Sequence, residues 1–315
     1  MFAAVPVTAE RGIVKRRSLG RSGLQVSELS FGAGGYWGMK AFPERQAAQL
    51  VDQALEGGIT VFDTGPNYSR GNAEERLGRI LKGRTENLVI STKAGSHWVN
   101  NRNVKDYSPR AIENSVHASL RRLQIDHLPL LHFHGFPHPA DPAIETVLKL
   151  KERGTVGALG VSTGRGGAKK ALKLGIFDAL MVEYNIVDRS LEAVISEAQE
   201  AGVGVMLKSP LAQTLYSRDI LKIGGPSDVW YLLRALKNHR HKFGQGRKYR
   251  FINDVEGFAA SEIALAFALK HPGVSSAVIG TVKPDHLRSN LRVPHLQLPA
   301  ELVERIERAG SAGRG

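Results

Sequence analysis

Short apolar runs recur along the chain at steady intervals. They are LSFGA from Leu29, ITVFDT from Ile59, LVISTK from Leu88, LPLLHFH from Leu128, VGALGVS from Val156, ALMVEYN from Ala179, GVMLKSP from Gly204 and SAVIG from Ser276. Within each run apolar residues follow one another instead of alternating with polar ones, the pattern of strands buried on both faces. Between the runs, apolar positions return at helical spacing, which predicts helices at Glu44–Glu56, Ala73–Lys82, Pro109–Leu123, Pro142–Glu152, Gly167–Leu174, Leu191–Ala201, Ser261–Lys270 and Pro284–Leu291. Pro109 behind Ser108 marks one helix start, and Gly175 and Gly202 follow two helix ends. The spacing is even, and no G-x-G-x-x-G loop follows the first strand. Both features favour closure into a (β/α)8 TIM barrel over an open doubly wound sheet.

Three pieces lie outside that rhythm. VKRRSLGRSGLQVSEL reads as a small hairpin around a Gly/Ser turn, behind a flexible leader at residues 1–14. The single barrel domain spans 15–310, with an extra helix at Pro299–Gly310 and a frayed tail at 311–315. The third piece, Leu211 to Val255, separates the seventh strand from its helix and is too long for a structureless loop. SDVWYLLRALKNHRHK inside it is predicted helical, with Ser227 as cap. The part from Arg234 to Arg250 is basic and holds no acid. In a barrel this connection lies on the face that carries chemistry, as a solvated decoration or as a lid.

Composition narrows the class. Hydrophobic residues make up 42% and charged residues 23% of the 315, ordinary values for a soluble globule. No apolar stretch approaches the roughly 18 residues of a membrane span, and the first residues lack a secretory pattern. The absence of cysteine excludes disulfides, zinc–thiolate sites and cysteine nucleophiles, and fits a cytoplasmic setting. A net charge of +13 suits a phosphorylated cofactor or substrate drawn to a positive cleft, or a basic surface with no partner. Nucleic acid would need a reading element, and none is visible.

Polar residues at the C-terminal ends of barrel strands point at the active face. Strand two offers Asp63, with Tyr68 in its loop, and strand three offers Lys93. Strand four offers His132 and His134, strand five Ser162 and Thr163, strand six Glu183, Tyr184 and Asn185, and strand seven Lys208 and Ser209. An ammonium held by Asp63 and placed near the Tyr68 hydroxyl stabilises a tyrosinate, so Tyr68 can give its proton to a carbonyl oxygen as charge builds there. His134 would be a second donor. Such a set suits carbonyl reduction and its reverse, with a nicotinamide cofactor as hydride source. Each piece also has a structural reading: a salt bridge, a loop anchor, a satisfied strand-end histidine. A metal-dependent hydrolase would use the H-x-H of LLHFHG. The later strand ends add no histidine and only Glu183 as carboxylate, short of the three ligands required.

FDTGPNYSRGNAEERLG, VISTKAG and SLRRLQIDHLPLLHFHG resemble the aldo-keto reductase family, and the likeness runs from LGRSGLQVSELSFGAG to VIGTVKPDHLRSNL. The resemblance implies a catalytic tetrad of Asp63, Tyr68, Lys93 and His134, with NAD(P)H extended across the C-terminal face. His132 falls where many relatives carry a non-catalytic residue. Among implied cofactor positions Ser162 is kept, Thr163 replaces a usual asparagine, Met181 a usual glutamine, and Lys208 a ring that often stacks on nicotinamide. Ser209 and Leu211 follow. At the adenosine end stand Gly280, Thr281, Lys283, His286 and Asn290, with Lys283 suited to a 2′-phosphate. NADPH/NADP+ is therefore expected, with NADH/NAD+ left open. Tyr36, Trp37, His97, Trp98 and Trp230 are candidate pocket walls for a small carbonyl or alcohol substrate. The alternative is a cofactor-binding regulatory subunit with little turnover.

Overall fold

The N-terminal hairpin forms as expected, from β1 (Arg16–Ser18) and β2 (Gln25–Ser27), with Arg17 opposite Val26. The structure, a computed structural model, describes residues 13–138, 142–218, 223–239 and 242–311. Most of the expected leader and the last residues of the expected tail lie outside these. Val14, assigned to the leader, is buried, and its N–H donates to the Gly57 carbonyl at 3.1 Å. Helical backbone runs through Ser311, the first residue of the expected tail.

The chain then alternates through β3 (Leu29–Gly32), α1 (Glu44–Glu56), β4 (Val61–Asp63), α2 (Asn72–Leu81) and β5 (Val89–Ala94). A second hairpin follows, β6 (Ser96–Val99) and β7 (Arg102–Lys105), which the apolar pattern did not predict. Next come α3 (Pro109–Leu123), β8 (Leu128–His134), α4 (Pro142–Glu152), β9 (Val156–Ser162), α5 (Arg165–Leu174), β10 (Ala179–Glu183), α6 (Glu192–Glu200) and β11 (Gly204–Lys208). The long connection holds α7 (Pro226–His239) and α8 (Phe243–Arg247). The chain ends with α9 (Ala260–Leu269), β12 (Ser276–Ile279), α10 (Pro284–Arg292) and α11 (Ala300–Ser311). No helix among the described residues is long and apolar enough to cross a membrane.

β3, β4, β5, β8, β9, β10, β11 and β12 pair in parallel in that order, and β12 closes on β3, so the fold is a (β/α)8 barrel. Its floor is a layer of Val61, Val89, Leu130, Ala158, Ala179, Met181 and Met206. Leu19 and Val26 of the N-terminal hairpin plug it from below. Side chains of adjacent strands fill the interior, and the titratable groups Asp63, Lys93 and His134 gather at the opposite rim. Behind that rim, Glu74 of α2 is fully buried. It accepts from Thr92 Oγ1 at 2.5 Å, Ser119 Oγ at 2.8 Å and Arg122 Nε at 2.7 Å, which ties the helix after Tyr68 to β5 and α3.

The connection after β11 is largely built. α7 begins at Pro226, so Ser227 lies in its first turn instead of capping it. Trp230 meets Tyr36 in the loop after β3, ring centroids 6.3 Å apart, and Asp228 pairs with Lys283 after β12 at 2.7 Å. Farther on, Lys242 pairs with Glu183 at 2.8 Å and Asp188 at 2.7 Å, beyond β10. The segment therefore touches loops on both sides of the C-terminal rim.

Candidate active site

Asp63 ends β4 and Lys93 stands near the end of the neighbouring β5, and both are buried. Lys93 Nζ donates to the two carboxylate oxygens at 2.8 and 2.7 Å and to the Thr64 carbonyl at 2.6 Å; Ser91 Oγ also donates to Asp63 at 2.8 Å. Burial alone would lower the pKa of this ammonium. Asp63, and after it Tyr68, more than offset that and leave it raised. The result is a fixed positive charge inside the rim.

Tyr68 lies over that charge, with Nζ 4.9 Å from its ring centroid. The ring rests on the backbone of Gly34, where a Cβ would come within 2.7 Å of it, so this position needs glycine. Ser69 and Arg70 hold φ of 49° and 58°, and non-glycine residues in that region are found where local structure over-determines them, often at working sites. Asn72 Nδ2 fastens the same turn to the Gly38 carbonyl at 2.7 Å, and Trp98 Nε1 donates to the Asn67 carbonyl at 2.8 Å.

The His134 ring meets the Tyr68 ring edge-on, centroids 6.2 Å apart at 87°. Burial first, then Lys93, Lys105 and Lys208, push its pKa down to about 3, so it is neutral across the physiological range and can offer an N–H but not a charge. His132, two residues earlier, is wholly buried deeper in the barrel. It packs against Gly160, and neither ring nitrogen has a partner among the described residues. Its pKa is also well below the ordinary value, chiefly through burial. An unfolded histidine takes a proton near 6.5, whereas these two stay neutral when folded. Stability is then complete above that value and falls as pH drops below it, by about 1.4 kcal/mol per pH unit for each histidine. Thermal unfolding measured from about pH 7 to 4.5 should show a steep fall, and a flat midpoint would contradict the two neutral rings.

The strand-five to strand-seven positions form a second group. Ser162 is buried and accepts from Lys208 Nζ at 3.3 Å, and the Thr163 carbonyl accepts from the same ammonium at 3.4 Å. Burial lowers the Lys208 pKa, with Glu183 opposing. Met181 lies inside the barrel and Leu211 packs on the core. Ser209, Ala212, Gln213 and Thr214 all have positive φ, a second strained turn on the same rim. Asn185, a polar residue beyond β10, anchors it by donating to the Ser209 carbonyl at 3.1 Å.

At the expected adenosine end, Thr281 Oγ1 accepts from the Lys283 N–H at 3.1 Å just before α10. Gly280 and His286 are exposed and Asn290 is buried. Lys283 is not free, because Asp228 of α7 holds it. A cavity between α7 and α1 is lined by Tyr36, Gln46, Ser227 and Lys283. Of the other candidate walls, His97 and Trp98 lie on β6, and Trp98 is 40% exposed beside the Tyr68 turn. Trp37 requires correction. It is wholly buried, edge-on to Phe31 at 5.8 Å, with Nε1 donating to the Ala47 carbonyl at 3.3 Å, so it is core and lines no pocket. Gly34, Lys105 and Asp228 escaped the reading of the sequence, because their importance comes from contacts between loops.

The family description "Aldo/keto reductase family" matches residues 28–311. The chain belongs to this family. Aldo-keto reductase AKR11C1 from Bacillus halodurans, solved in its holo form, superposes with a TM-score of 0.79 at 30% identity, covering 94% of this chain and 96% of that one. The NADH-specific methylglyoxal reductase of Escherichia coli is 27% identical, over 94% of this chain and all of its own length. A probable voltage-gated potassium channel subunit beta of rice, Oryza sativa subsp. japonica, is also 27% identical, over 92% of this chain and 95% of its own. Family membership carries nicotinamide-dependent carbonyl reduction as the general chemistry.

Proposed function

We propose that this protein reduces an aldehyde, ketone or sugar carbonyl with NADPH, and that Tyr68 is the proton donor. One observation carries the reading: a buried ammonium, pinned by Asp63, lies 4.9 Å from the centre of a phenol ring that meets His134 edge-on. A bound nicotinamide supplies the hydride. The Tyr68 hydroxyl gives its proton to the substrate oxygen as negative charge grows there, and Lys93 stabilises the tyrosinate left behind. Neutral His134 donates an N–H to the same oxygen and fixes its direction. In oxidation Tyr68 acts as the base.

The donor set at β9–β11 suits a nicotinamide carboxamide. Ser162 Oγ offers a hydroxyl, and the Lys208 ammonium beside it replaces the missing asparagine and glutamine as a donor. The strained turn from Ser209, with Leu211, would hold the diphosphate, and Lys283, His286 and Asn290 the adenosine. A 2′-phosphate and the Asp228 carboxylate compete for one ammonium. Asp228→Asn should therefore tighten NADPH about three- to fivefold and leave NADH almost unchanged. Dissociation constants from fluorescence titration check this; equal shifts for both would mean that Lys283 does not read the phosphate.

The rice relative supports a second reading, a cofactor-binding interaction subunit with negligible turnover. A broad aldehyde panel decides between them. Sustained NADPH oxidation supports the reductase, and tight NADPH binding with no oxidation by any aldehyde supports the subunit.

A further inference from the structure

The hairpin β6–β7 stands between the Tyr68 turn and the end of β8. Its two turn residues, Asn100 and Asn101, both have positive φ, as a type I′ two-residue hairpin turn requires. At its base Lys105 sits opposite Ser96, and its ammonium donates to the carbonyl oxygen of His134, next to the Tyr107 hydroxyl that donates to the same oxygen at 3.0 Å. A Cβ at Gly135 would lie 3.2 Å from this ammonium. Lys105 is thus beside the histidine that would orient the substrate.

No carboxylate among the described residues pairs with Lys105, and burial lowers its pKa. Among the described residues, the acids near the rim have partners of their own. Asp63 is held by Lys93, Glu183 and Asp188 by Lys242, and Asp228 by Lys283. Asp106, the next residue along, accepts from the Ser108 N–H at 2.8 Å at the start of α3. Arg70, on the other flank of Tyr68, lies over the Trp98 ring at 5.6 Å and also has no acid partner among the described residues. Among the described residues, Lys105 and Arg70 are thus two cations on the β4–β8 side of the mouth that no carboxylate holds in an ion pair. The groups suited to the cofactor lie on β9–β12, so its phosphates do not explain them.

We infer that the substrate carries an anionic group, a carboxylate or a phosphate, close to its carbonyl, and that Lys105 binds that group. An ammonium bonded only to a main-chain oxygen exchanges it for an anion at little cost, and the new hydrogen bond is charge-assisted at both ends. The inference rests on the reductase reading for where the carbonyl sits.

Two matched pairs test it: succinic semialdehyde against butanal for a carboxylate, and glyceraldehyde 3-phosphate against glyceraldehyde for a phosphate. In the wild-type protein one charged member should exceed its neutral partner in kcat/KM by about tenfold, mainly through KM, and the margin should shrink with salt. Lys105→Gln, which keeps a donor for the His134 carbonyl without the charge, should bring the ratio near one, and Lys105→Arg should restore it. No preference in the wild type, or a preference that survives Lys105→Gln, overturns the inference. Should no aldehyde be turned over, the reductase reading fails, and calorimetric titration with succinate and with inorganic phosphate still decides this one. Binding of either that weakens about tenfold in Lys105→Gln upholds the anion site; equal binding, or none to the wild type, removes it.

Discussion

Lys93→Met is expected to stop turnover and to cost about 3–5 kcal/mol of stability. The methionine fills the volume but leaves Asp63 buried with only Ser91 and no positive charge. An unpaired buried carboxylate is the expensive outcome, whereas removing both charges is close to neutral. Lys93→Met combined with Asp63→Asn should therefore recover most of the stability, read from urea unfolding, without recovering activity. That pattern separates the structural role of the pair from its chemical one. If turnover returned with stability, the ammonium would be scaffolding and not part of the proton transfer. Because the ammonium's folded pKa is raised, its contribution to stability is complete below the usual 10.5 and is lost only as pH climbs through the higher folded value.

The barrel was legible because burial on both faces leaves an unmistakable pattern. Runs such as LPLLHFH and VGALGVS became β8 and β9 with the expected bounds. Glycines blurred other bounds: α5 starts at Arg165, two residues before the expected Gly167, because Gly164 and Gly166 on either side of Arg165 look like a loop. The β6–β7 hairpin left a usable signal in Asn100–Asn101, but its strands are mostly exposed and contribute no apolar run. Asp63 and Lys93 were readable as partners because neighbouring parallel strands bring their ends together. Trp37 was misread because an aromatic after a strand end looks the same whether it faces a cleft or the core. The Lys283–Asp228 pair lay beyond reach, since it depends on how a long connection folds back. Strand-borne groups follow from periodicity; loop-borne ones follow from packing that periodicity does not encode.

The proposed proton donor is Tyr68. Loss of a positioned general acid lowers a rate by about a hundred- to ten-thousandfold, and phenylalanine keeps the ring that rests on Gly34 and meets His134. The most direct measurement is a single turnover, with protein preloaded with NADPH, mixed with a saturating aldehyde that the wild type reduces, and followed by loss of reduced-cofactor absorbance. Tyr68→Phe should bind NADPH within about twofold of wild type while first-turnover oxidation falls by about a thousandfold. A first turnover as fast as wild type, with the cofactor bound, would contradict Tyr68 as the proton donor.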